Sequence, residues 1–148
     1  MTLRRIAVPA IVVWLADSLY GYLVFGVMLE PEFARFPNVF RSFNDVNSMM
    51  PLMLISSLLG FVAVTYIFAK GHEGGSGLKE GFWFGIVIAS LFLFLVSIPS
   101  YVIYQIGRDL SLKMSLAGFG EMLIDGIVLG LVYKPAASAA GARRTVGV

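Results

Sequence analysis

Apolar residues in this chain neither alternate nor form narrow stripes; they run on for two dozen positions at a time. Four such runs stand out, at about 6–29, 48–69, 81–106 and 114–133. Each supplies the roughly 20 residues that a helix needs to cross a hydrocarbon core of about 30 Å. The second and third runs contain no charged residue, the first contains only Asp17, and the fourth contains Glu121 and Asp125. The runs are too long and continuous for the strands of a membrane barrel, which show alternating segments of about 10 residues. The pattern predicts an all-α fold, a bundle of four transmembrane helices. Pro99, late in the third run, is the expected kink, because proline removes one helical hydrogen bond.

The connections differ from one another. Residues 30–47 place Phe33, Phe36, Phe40 and Phe43 at spacings of three, four and three, with Arg35, Arg41 and Asp45 between them. If helical, they form one aromatic face lying in the membrane interface. Pro37 divides the stretch, so two short helical pieces are expected rather than one. A loop whose phenylalanines cap the bundle fits the same spacing. Residues 70–80, rich in glycine, read as a flexible link, and no Gly-Lys-Ser/Thr follows to make a phosphate loop. Residues 107–113 read as a tight turn. From Pro135 onward the chain is small-residue-rich and basic, a mobile tail with Arg143 and Arg144 available to anionic headgroups.

Composition agrees with the pattern. Of 148 residues 58% are hydrophobic and only 14% charged, against about a quarter charged in ordinary soluble domains. A globule this small has too little interior to hide that much apolar surface. A soluble enzyme, a disordered chain and a free nucleic-acid binder are excluded. The net charge of +2 comes from basic residues scattered between apolar runs, with no continuous stripe to follow phosphates, so no nucleic-acid partner is expected. The first residues faintly resemble a signal peptide, but the apolar stretch is too long and ends in no small-residue cleavage site, so it reads as a retained helix. Basic residues in the short flanks divide unequally. One side holds Arg4, Arg5, Lys70, Lys79, Lys134, Arg143 and Arg144; the other holds Arg35, Arg41, Arg108 and Lys113. The positive-inside rule then puts both termini in the cytoplasm and the Phe-rich segment outside.

The sharpest chemical feature is the set of acids inside the spans. Asp17 and Asp125 lie near mid-span, and Glu121 precedes Asp125 by four, which stacks the two on one helical face. Insertion scales put the cost of an acid at a helix centre at about 2.5–3.5 kcal/mol. No Lys, Arg or His lies within the spans to neutralise them. They are therefore candidates for a proton or cation site across the first and fourth helices. The plainer reading is a neutral polar clamp, with Ser18, Tyr20, Tyr22 or backbone carbonyls as partners.

Small residues form a second pattern, Ser56-x-x-x-Gly60, Gly81-x-x-x-Gly85 and Gly126-x-x-x-Gly130. This spacing lets helices approach closely in a membrane, within one chain or between chains. His72 is the only histidine and the chain has no cysteine. No catalytic triad, multi-histidine metal site or thiolate site can be assembled, so no enzyme, cofactor or metal is expected.

Gly77-Leu78-Lys79-Glu80-Gly81-Phe82-Trp83-Phe84-Gly85 and Gly126-Ile127-Val128-Leu129-Gly130-Leu131-Val132-Tyr133-Lys134, with Asp17 followed by Gly21, resemble a broad group of small bacterial four-helix integral membrane proteins without assigned function. The resemblance covers most of residues 6–134 and implies a four-helix fold and a location in a bacterial inner membrane, but no reaction. The Phe-rich segment, Glu121 and Asp125 fall outside its motifs. The expected function is association, as a non-enzymatic accessory or stabilising subunit of a larger membrane assembly, in contact with lipids and with other subunits or a second copy. The alternative is a small proton- or cation-linked transporter or channel component.

Overall fold

The computed structural model describes residues 3–134; the basic tail expected at 135–148 lies outside the described residues. Among the described residues the chain is all-α, with no strand. Helix α1, Arg4–Gly21, continues through a wider π-helical turn at Tyr22–Met28 into a short α2, Glu30–Phe33. Helix α3 spans Phe43–Gly71. Helix α4, Gly77–Phe92, passes through a second π-helical turn, Leu93–Ser97, into α5, Ile98–Ile103, and α6 spans Arg108–Val132. Four continuous helical stretches result, Arg4–Met28, Phe43–Gly71, Gly77–Ile103 and Arg108–Val132, each long and apolar enough to cross a membrane.

Local chemistry sets several boundaries. Ser42 opens α3, its Oγ accepting from the Asp45 N–H at 3.2 Å, and Asp45 adds negative charge to the first turn. Gly107, at φ 74°, turns the chain sharply into α6, in a region that favours glycine. The turn is shorter than the residues 107–113 expected, because 108–113 already belong to α6. Both π-helical turns lie just before a proline, Pro31 and Pro99. A proline ring crowds the carbonyl four residues back, and a widened turn relieves that crowding. The distortion expected at Pro99 thus takes the form of a bulge at Leu93–Ser97.

The Phe-rich segment is not one helical face. Only Glu30–Phe33 is α-helical, and turns follow, since Pro37 has no N–H to continue a helix. Phe33 and Phe40 meet with ring centroids 4.8 Å apart, Phe36 faces Gly107, and Phe43 points outward from the start of α3.

Helices α4 and α6 form the most extensive pairing, while α1 lies against both α3 and α6. The compact core contains Ala10, Val13, Phe61, Phe68, Leu129 and Tyr133. It gathers the start of α1, the end of α3 and the end of α6. Most large apolar side chains point outward; within the most apolar stretch of each span only 6–28% of residues are buried in the molecule. An exterior this apolar, around a glycine-rich interior, suits lipid as solvent.

At the core end, the Gly-rich link is more anchored than a flexible connection. Helix α3 continues to Gly71 and α4 begins at Gly77, leaving five residues between them. Glu80 accepts from the Gly75 N–H at 2.6 Å and the Glu73 N–H at 3.1 Å, and contacts His72 Nδ1. The His72 side chain packs among the rings of Phe68 and Tyr133. At the opposite end, Lys113 on α6 pairs with Glu32 of α2 at 2.9 Å and with Asp109 at 2.7 Å.

Candidate functional site: a carboxyl seam between the first and last helices

Helix α6 presents two seams offset by one residue. Gly118, Met122, Gly126 and Gly130 recur every fourth position on one, and Ala117, Glu121, Asp125 and Leu129 on the other. A one-residue offset is about 100° of rotation around a helix. The first meets α4 and the second meets α1.

On the α4 side, Gly77, Gly81 and Gly85 are set antiparallel against Gly130 and Gly126, with Ala89 fully buried one turn further. A β-carbon added at Gly126 would fall 2.6 Å from the Gly85 nitrogen, and one at Gly81 would fall 2.8 Å from the Gly130 Cα. The Phe92 ring covers Gly118, where an added β-carbon would lie 2.6 Å from it. Of the small-residue candidates, Gly81, Gly85, Gly126 and Gly130 meet here; Ser56 and Gly60 do not. They lie exposed on α3, and a β-carbon at Gly60 would meet nothing within 4 Å. The same spacing therefore marks a contact in one place and an outward face in another.

On the α1 side, the three acids come together. The Tyr20–Ala117 and Gly21–Glu121 contacts set the antiparallel register that brings Asp17 opposite Asp125 across the helix pair. Glu121 lies one turn along α6, beside Gly21, where an added β-carbon would be 3.5 Å from Glu121 Oε1. Gly21 thus leaves room for the glutamate between the helices. Tyr20 donates its hydroxyl proton to the Ala117 carbonyl at 2.9 Å, and Gly120 makes room for the phenol. Asp125 is the deepest, only 5% exposed, and neither of its oxygens has a donor if both carboxyls are ionised. Asp17 and Glu121 are half-buried.

A cavity of about 30 Å³ adjoins Asp125, bounded by Val13, Phe61, Val64, Phe84 and Leu129 among others. It has the volume for a water molecule, but a bound water needs two to four polar partners and the wall supplies one carboxyl. The cavity is an apolar space. Leu129 lines it toward the core end, where Phe68 and Tyr133 are also nearly inaccessible, with Tyr133 edge-on to Phe68 at 5.5 Å. Toward the other end the seam becomes more polar through Glu121 and Tyr20. Among the described residues no cluster of His, Cys, Asp and Glu is arranged to hold a metal ion.

Sequence reasoning missed several participants. Gly77, Ala89 and Gly118 extend the small-residue pattern at the same four-residue interval, so their signal was present. Of the hydroxyls named from the sequence, Tyr20, three residues from Asp17 and on the same face, does join the seam, whereas Tyr22 points outward. Trp14 binds α1 to α3, its Nε1–H directed at the Leu54 carbonyl (3.1 Å) and Ser57 Oγ (3.0 Å); nothing in the sequence identified those partners. Comparison with protein-family models, curated proteins and solved structures finds no match to this chain.

Proposed function

We propose that this protein is a non-enzymatic integral membrane protein that works by association, as an accessory or stabilising subunit of a larger membrane assembly. One observation carries the reading: the first 18 residues of α3, Phe43–Gly60, contribute no buried side chain, and all three buried residues of this helix follow from Phe61. Apart from the side that receives Trp14 at Leu54 and Ser57, this stretch is left to meet something outside the chain, and its outward face includes the Ser56/Gly60 notch that permits close helix approach. Orientation with both termini in the cytoplasm belongs to this reading and rests on seven flanking basic residues against four, and a bacterial inner membrane rests on the resemblance alone.

The test uses a convenience of composition: the chain has no cysteine. Ser56→Cys then carries the only thiol. After mild extraction, a second polypeptide should co-purify in fixed stoichiometry and crosslink at position 56. A lone species that crosslinks to nothing overturns the proposal.

The convergence of Asp17, Glu121 and Asp125 favours a second reading, a proton- or cation-linked transporter or channel component. In reconstituted vesicles, Asp125→Asn should then abolish flux seen with the parent chain. Unchanged flux, or none in the parent, overturns it.

A further inference from the structure

We propose that Asp17 and Asp125 hold one proton between them, forming a proton-binding site within the membrane that exchanges through Glu121 and is sealed toward the His72 end. The inference depends on neither functional reading; a proton can reside here whether or not the protein moves solutes.

Two carboxylates offer each other only acceptor oxygens, so a hydrogen bond between Asp17 and Asp125 exists only when one retains its proton. No other described side chain donates a hydrogen bond to either Asp125 oxygen. From α1 the titratable neighbours are Asp17 and Tyr20, and Tyr20 already donates to Ala117. From α6 the neighbour is Glu121, a further acid. The cavity wall brings Phe61 and Val64 from α3, and Phe84 and Ile88 from α4, none of them titratable. Among the described residues no lysine, arginine or histidine forms an ion pair with any of the three acids. Independently of the clustering, Asp125 is buried to more than nine-tenths, has no donor of its own and borders the apolar cavity. Leaving such a group ionised and unpaired costs several kilocalories per mole, about the penalty for an uncompensated buried charge. A shared proton removes one of the two charges and supplies the missing donor.

The direction of exchange follows from what flanks the pair. Val13, Leu129, Phe68 and Tyr133 close the core end with apolar or ring surface. Half-buried Glu121 stands one turn the other way, between Gly21 and the Tyr20 hydroxyl, and is the next group able to accept or release a proton.

The test is infrared spectroscopy of the intact protein in lipid nanodiscs, with labelling by a lipophilic carbodiimide. That reagent takes the proton of a carboxylic acid onto nitrogen; the carboxylate then attacks its central carbon and rearranges to a stable N-acylurea. At neutral pH the wild type should show a protonated-carboxyl C=O band that shifts in D₂O, and mass spectrometry should place one adduct per chain on Asp17 or Asp125. The paired change Asp17→Asn with Asp125→Asn should remove both signals. Glu121→Gln should keep the band but slow its D₂O shift, whereas Tyr133→Phe should leave that rate unchanged. Absence of the band from the wild type overturns the proposal without any variant. So does a band that survives the double change, or an adduct confined to Glu121. A D₂O shift unaffected by Glu121→Gln overturns the assigned route.

Discussion

The two seams of α6 are joined in opposite ways. Toward α4, glycine removes the side chains so that backbones touch, and contact is made by van der Waals packing over four helical turns. Toward α1, side chains stay and are polar: Asp17 against Asp125, Tyr20 against Ala117, Glu121 beside Gly21. Packing of the first kind tolerates no added atom, because the neighbour is main chain and cannot rotate away. The second kind tolerates changes of shape but not the loss of a hydrogen-bonding partner. One helix thus carries a seam that is rigid by geometry and a seam whose strength depends on protons.

The largest effect should come from adding a single methyl to the rigid seam. Gly126→Ala sets a β-carbon against the Gly85 backbone, and should cost about 3 kcal/mol, the upper end for overpacking. Unfolding in mixed micelles by denaturing detergent would measure it. Gly60→Ala is the internal contrast; with open space around it, that change should gain up to about 1 kcal/mol from helix propensity. A comparable loss at both glycines would break the distinction between inward and outward small-residue faces.

On the polar seam, Asp125→Ala should cost about 1–3 kcal/mol, the penalty for leaving Asp17 without its partner. Asp125→Asn supplies an amide donor to Asp17 and should recover most of that loss in the same assay. If alanine and asparagine behave alike, the seam is held by shape and not by hydrogen bonding. Tyr20→Phe removes only the bond to Ala117 and should cost about 1 kcal/mol. The smallest effect belongs to the partly exposed ion pairs at the α2 end, where Lys113→Met should change stability by less than about 1 kcal/mol. High salt should not alter the Gly126→Ala penalty, since no charge takes part in that contact.

Some of this architecture was legible residue by residue. Four apolar runs gave four helices long and apolar enough to span a membrane, and in lipid a helix is the local way for a backbone to satisfy its own hydrogen bonds. Gly81, Gly85, Gly126 and Gly130 were readable as close-approach positions from their spacing. Ser56 and Gly60 show the limit, since identical spacing on α3 faces outward: a spacing specifies a shape, and only a neighbour makes it an interface. His72 shows another limit. A histidine in a glycine-rich link reads as solvent-exposed, yet the end of α6 brings Tyr133 to it and the first turn of α4 brings Glu80.

The two deep aspartates and Glu121 were conspicuous from sequence alone, because charge inside an apolar run carries a cost wherever the run is placed. Their partnership was not. Asp17 and Asp125 are separated by 108 positions (125 − 17), and no periodicity links residues that far apart. The sequence by itself determined that the chain is helical, apolar enough to span a membrane, and burdened with three acids lacking a cation in their spans. Only the tertiary structure decided that α1 rather than α4 meets the acidic face of α6. The glycine face docks on α4 because main chain can approach main chain only where both side chains are absent. That docking turns Glu121 and Asp125 toward α1, where Asp17 and Tyr20 are waiting.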